Sequence, residues 1–175
     1  MPATKIIPKG PASAEDIDAF LGPAAQQIPL MEYVRFLRRY GGGAVFPNTL
    51  VAEQPINIEF SDPKWSVQSF RSVAQNSDWQ TAALEMNYWS DAYRPIAAIS
   101  GGDRLLMGVS ADKLGQIFYW TPDNDGLSYR IVPVCQSFSE LLEQMAFFED
   151  QGMTPPWNRM DSIDADPAVD LDLAI

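Results

Sequence analysis

Carboxylates are the only plentiful side chains here that could do acid–base work: 23 Asp and Glu stand against 12 Lys and Arg in 175 residues, with one cysteine and no histidine. The missing histidine removes Ser-His-Asp and Cys-His nucleophiles and any general base whose unperturbed pKa lies near neutrality. One cysteine leaves no ordinary zinc site. Carboxylate pairs, a lysine or tyrosine base, and an oxygen-ligated metal remain. The acids available for such a pair are Asp103, Asp112, Asp123 and Asp125, and no spacing among them compels one. The residues therefore point to a protein that is not an enzyme and has no catalytic residue, metal site or cofactor.

Three glycine-containing segments imitate ligand loops and fail on context. Gly41-Gly42-Gly43 follows a helical pattern and is not followed by Gly-Lys-Ser/Thr, and Gly101-Gly102 lacks the third glycine of a dinucleotide fingerprint. Both read as a helix stop and a turn. Asp123-Asn124-Asp125-Gly126 looks like part of a calcium loop. With Gly126 in the sixth place, however, the first and twelfth places fall to Thr121 and Val132, where an acid and a bidentate glutamate are needed.

Binding chemistry is better represented. The net charge is −11; from Glu149 onward seven acids face Arg159 alone, leaving −6 there and −5 in residues 1–148. That field disfavours nucleic acid and anionic lipid and speeds encounter with a basic protein. Of five tryptophans, Trp79 and Trp89 lie with Tyr88 and Tyr93 beside Asp78, Glu85 and Asp91. Aromatics mixed with acids suit a protein interface. The competing reading places most tryptophans in the core, with Trp89 and Trp120 first among them.

The elements that must carry these groups follow from capping and periodicity. Ser13 with Asp16 caps a short helix ending at Gly22-Pro23, and Pro29 opens a longer one whose Leu30, Tyr33, Val34, Leu37 and Tyr40 line one face. Ile56, Ile58 and Phe60 alternate as in a half-buried strand. Ser77 with Gln80 is the expected cap of a third helix running to about Trp89. Strands are expected at Ile96–Ile99 and Leu105–Met107 around a Ser100–Asp103 turn. The segment Gly115–Trp120, a Thr121–Gly126 turn and Tyr129–Val134 make a hairpin whose Pro133 requires an edge or a bulge. Ser137 and Glu140 cap a last helix with Phe138, Leu141, Leu142, Met145 and Phe148 on one side. The fold expected is α+β, a mainly antiparallel β-sheet flanked by helices, in one domain over residues 1–152. Residues 153–175 are expected to form an acidic, extended or disordered C-terminal extension. With no apolar h-region or spanning segment and an unpaired Cys135, the protein is expected in the reducing cytoplasm.

Three blocks in order resemble the SUKH superfamily, which includes the fungal cell-wall-assembly regulator and many bacterial immunity proteins. The first is Ile28-Pro29 through Tyr33, Phe36-Leu37, Arg39-Tyr40 and Gly42-Gly43, with Gly41 where the family usually has Asn. The second is Arg94-Pro95-Ile96-Ala97 with Gly102-Asp103, and the third runs from Gly115 through Trp120 and Pro122–Gly126 to Ser137–Leu142. The resemblance spans about residues 14–150 and implies an α+β, antiparallel fold. It also implies a cytoplasmic immunity protein that binds a cognate secreted toxin, often a nuclease, by occluding a basic surface. The alternative it implies is a regulatory scaffold of the cell-wall-regulator type. Family binding sites vary, so no residue is carried over by motif. The contact residues expected here, Trp79, Glu85, Asp91, Asp123 and Asp125, are aromatic or acidic side chains in loops or at helix edges.

Overall fold

A computed structural model describes residues 5–46, 48–51, 64–122, 129–146 and 169–170. In chain order these form β1 (Lys5–Pro8), α1 (Ala14–Leu21), two 3₁₀ turns (Gly22–Gln26 and Ile28–Leu30), α2 (Met31–Tyr40), β2 (Gly43–Phe46), β3 (Thr49–Val51) and β4 (Lys64–Phe70). They continue with α3 (Val73–Glu85), β5 (Tyr93–Ile99), β6 (Arg104–Gly108), β7 (Ile117–Pro122), β8 (Tyr129–Cys135), α4 (Phe138–Glu143), β9 (Met145–Ala146) and β10 (Val169–Asp170). Eight strands follow one path in the order β10-β1-β2-β4-β5-β6-β7-β8, while β3 pairs with β4 and β9 beside it. Every pairing is antiparallel. The α+β expectation therefore holds.

Alternation along β6 and β7 separates two cores, because successive side chains leave opposite faces of a sheet. Leu105, Met107, Ile117 and Tyr119 enter the main core with Tyr33, Phe36, Leu37 and Tyr40 of α2 and Phe138 and Leu141 of α4. Leu106, Phe118 and Trp120 face the other way and meet Ala83 and Trp89. α3 serves both, beginning at Val73 in the main core and reaching Ala83 in the second.

Several local readings hold for visible reasons. The Ser13 side chain accepts from the Asp16 amide, and Ser137 Oγ accepts from the Glu140 amide at 3.1 Å while Glu140 takes the Gln136 amide at 2.7 Å. Gly41 ends α2 in the left-handed region at φ 66°, a conformation that favours glycine. A Cβ there would lie 1.7 Å from the Gly10 carbonyl oxygen, so this chain also requires the missing side chain for close approach. Pro133 lies on the last strand of the path and beside a bulge, since Ile117 pairs with Cys135 but Phe118 with Pro133. Both conditions that excuse a strand proline are met.

Two readings need correction. α3 begins at Ser72, with a full Ser72–Gln75 capping box, five residues before the expected Ser77 cap, and it ends at Glu85, short of Trp89. Its buried side is Val73, Asn76, Gln80 and Ala83, and the two amides in that row hide the apolar stripe a helix normally displays. Gln80 is committed to the Trp89 indole N–H, which it accepts at 2.9 Å, and does not serve the proposed cap. The last helix stops at Glu143, and Met145 is buried as part of β9, pairing with Leu50 of β3. Phe148 and the expected strand through Ile56, Ile58 and Phe60 lie outside the described residues, as does the 153–175 extension apart from Val169 and Asp170.

The two serines make a test of where α3 starts. Ser72→Ala should lower unfolding free energy by about 1 kcal/mol, the usual worth of an N-cap. Ser77→Ala should change it by less than about 0.5 kcal/mol, as for a helical surface position. Urea denaturation of the two variants checks this; equal effects would contradict the observed start.

Candidate functional site

The surface that gathers the most binding-type side chains is built on α3 and the connection to β5. Arg71, Gln75 and Trp79 are spaced four apart, so they follow one flank of the helix and its entry. Trp79 is half-buried beneath two guanidiniums, with Arg71 Cζ 4.3 Å and Arg104 Cζ 3.5 Å from its ring centroid. Arg104 is brought there by β6, where it pairs with Trp120 across the sheet and donates to the Gly102 and Asp103 carbonyls. Burial, and then the nearby Arg71 charge, hold the Arg104 guanidinium below its ordinary pKa.

The far end of α3 has a different character. Leu84 and Met86 are 40% and 59% exposed on either side of exposed Glu85, and Asn87 at φ 56° turns the chain away. Tyr88 and Trp89 then fold back onto Trp120, with ring centroids 5.2 and 5.3 Å from it. Asp91 follows, 74% exposed, in a 2.8 Å ion pair with Arg94; Gln80 Nε2 also donates to it at 3.4 Å. Arg94 is itself anchored by donating to the Phe20 carbonyl at 2.8 Å.

The residues expected in the contact surface are thus distributed. Trp79 and Glu85 share α3, but six residues of helix leave them about 120° apart around its axis. Asp91 lies on the loop below Glu85 with its charge shared with Arg94. Asp123 and Asp125 lie outside the described residues. Trp89 and Trp120 are buried, 5% and 6% exposed, as their contexts required. Sequence reasoning missed Arg71 and Arg104 as the partners of Trp79, and it did not single out Leu84 and Met86, which are exposed.

Of the four candidate acids for catalysis, Asp103 and Asp112 lie among the described residues, and each has its own partners. Asp103 accepts the Tyr119 hydroxyl and, at 3.1 Å, Thr121 Oγ1. Asp112 is exposed between Ser110 and Lys113, whose hydrogen bonds hold its carboxyl down at about 2. A cavity of about 330 Å³ between α1 and the start of α3 has one carboxylate, Asp16, in a lining that includes Lys9, Ala19, Ser72 and Ser77. Among the described residues no group of three or more His, Cys, Asp or Glu is arranged to hold a metal. No helix among them is long and apolar enough to cross a membrane.

An antiparallel sheet with helices over its main core and a third helix bridging to a second core defines an α+β module. The chain belongs to the SMI1 / KNR4 family (SUKH-1), whose model matches residues 11–144. Domains of this family are generally non-catalytic immunity or regulatory modules. A comparison with curated proteins finds no match.

Buried acids supply a test of the packing beneath this surface. Desolvation raises the pKa of Tyr33 and Tyr119, for Tyr119 with help from its hydrogen bond to Asp103, and pushes the Cys135 thiol up to about 12. The folded state holds these protons more tightly than the unfolded one, so stability falls as pH rises above the unfolded pKa values, about 8.5 for Cys and 10 for Tyr. Tyrosinate absorbance should show Tyr33 and Tyr119 ionising only with unfolding, and Cys135 should resist alkylation until then. Titration of either tyrosine below the unfolding transition would contradict the burial.

Proposed function

We infer that this protein is an immunity protein: it binds a cognate secreted or contact-delivered toxin, a nuclease in the favoured case, and neutralises it by occlusion without catalysis. The family assignment across residues 11–144 carries this reading. The net charge of −11 supports a partner with a basic surface, because a strong opposite field speeds association and selects among partners. The end of α3 supports a protein partner in particular, since Leu84 and Met86 offer apolar contact beside Glu85 and Asp91. Small exposed apolar anchors ringed by charge are how interfaces combine affinity with specificity. In this reading the protein acts in the cytoplasm, needs no cofactor, and engages neither nucleic acid nor membrane. Residues 1–152 make the binding domain and 153–175 an acidic extension.

The contact set is Trp79, Glu85, Asp91, Asp123 and Asp125, joined by Leu84 and Met86. Binding to the toxin domain recovered with the tagged chain from a lysate of its own organism, measured by calorimetry at low and high salt, tests it. Reversing Glu85, Asp91, Asp123 and Asp125 together should weaken binding at least about tenfold and flatten its salt dependence. Leu84→Ala with Met86→Ala should act chiefly on dissociation. Unchanged affinity in both variants would reject the surface. Stable complexes only with endogenous housekeeping proteins would favour the family's regulatory role instead.

A further inference from the structure

The anchors of the connection from α3 to β5 converge on one side chain. Gln80 is 8% exposed, and both ends of its amide are used. The Trp89 indole can only donate, so the Gln80 oxygen must face it, and it accepts at 2.9 Å; that turns Nε2 toward Asp91, where it donates to Oδ1 at 3.4 Å. Trp89 in turn is fixed edge-on against Trp120 in the second core. The orientation of the amide is therefore set by the core beneath the surface.

Arg94 holds the same residue from the β5 side. Its Nε donates to the Phe20 carbonyl at 2.8 Å. Its Nη1 donates to the carbonyls of Asp91 and Tyr93 at 2.8 and 2.9 Å and lies 2.8 Å from Asp91 Oδ1. The Tyr93 amide closes the turn on the Ser90 carbonyl, and Ser90 Oγ accepts from the Ala92 amide. Both side-chain donors thus reach the same carboxylate oxygen. Oδ2 takes no bond among the described residues, on a side chain that is 74% exposed. A surface aspartate without such partners turns between rotamers and offers either oxygen; this one is held with one oxygen inward and the other outward.

We propose that Gln80 and Arg94 are positioning residues that hold Asp91 out as a one-oxygen acceptor for a primary ammonium, a lysine side chain, on the protein partner. This rests on the protein-binding reading above and deepens it. One free oxygen cannot take the parallel pair of bonds that an arginine fork makes with a carboxylate, whereas an ammonium needs a single acceptor. The arrangement also separates Asp91 from Glu85. Asp91 is balanced by Arg94 and adds little to the long-range field, so its contact acts after encounter. Glu85, exposed and without an ion pair among the described residues, acts on encounter itself.

The test uses the complex recovered on the tagged full chain from a lysate of its own organism. A water-soluble carbodiimide joins a carboxylate to a primary amine in direct contact and makes no such link to a guanidinium. An amide between Asp91 and a partner lysine, mapped by mass spectrometry, is the expected product. In kinetics with the same partner, Asp91→Asn should speed dissociation at least about tenfold and change association less than about twofold, while Glu85→Gln should slow association at low salt. Gln80→Glu keeps an acceptor for Trp89 but turns a second carboxylate on Asp91, and it should speed dissociation as well. In the Asp91→Asn background it should have no further effect, whereas a purely structural loss would persist there. Should Gln80→Glu fail to fold, Arg94→Gln is measured in the same two backgrounds. Links that leave out Asp91, an unchanged dissociation rate in Asp91→Asn, or a Gln80 effect undiminished without Asp91 would overturn the inference and leave the protein-binding reading standing. No complex at all would overturn that reading and the inference with it.

Discussion

Phe36, Phe70 and Phe138 touch one another in a closed triangle, with ring centroids 5.1, 5.2 and 5.4 Å apart, and each is fully buried. They come from α2, from the end of β4 and from the first residue of α4, so one cluster fastens two helices to the sheet. Tyr33 extends it, 5.1 Å from Phe138 and 6.1 Å from Phe36. Such ring pairs contribute about 0.5–1.5 kcal/mol each beyond the area they bury. Tyr33 also meets α3 through its hydroxyl, 3.4 Å from buried Asn76 Nδ2. The pose of α3, and through it the whole candidate surface, is referred back to this cluster.

α3 is placed by two different kinds of contact. Near its start Asn76 is polar and buried, donating to Tyr33 and to the Arg71 carbonyl; near its end Ala83 packs with Trp89 and Trp120 on the other face of the sheet. A helix held at both ends this way leaves a flank and a tip to solvent. The flank is cationic around Trp79, and the tip is apolar and acidic around Leu84, Glu85 and Met86. One short element therefore presents two surfaces of opposite sign on a protein of net charge −11.

How much was legible in the sequence follows the range of the interactions. Caps at Ser13 and Ser137, the glycine stop at Gly41 and the demand of Pro133 for an edge are set by residues within a few positions, and each was readable. α3 was misread because two serines each precede a glutamine by three, and its buried amides blur the stripe that would have chosen between them. The burial of Trp89 and Trp120 was legible from context. The partners of Trp79 were not, since Arg104 arrives from a strand on the far side of the β5–β6 turn, a meeting only the folded sheet arranges. The exposure of Leu84 and Met86 was not legible either, because apolar type is a poor guide to burial at a helix end.

The account stands on the claim that this module works by covering a protein partner with the surface around the end of α3. Hydrogen exchange of the chain alone and with the proposed toxin partner reads that claim directly. Slowed exchange concentrated in residues 78–92, with the β1–β2 edge unchanged, is the result the account predicts. Protection confined to other elements, or none at saturating partner, would contradict it.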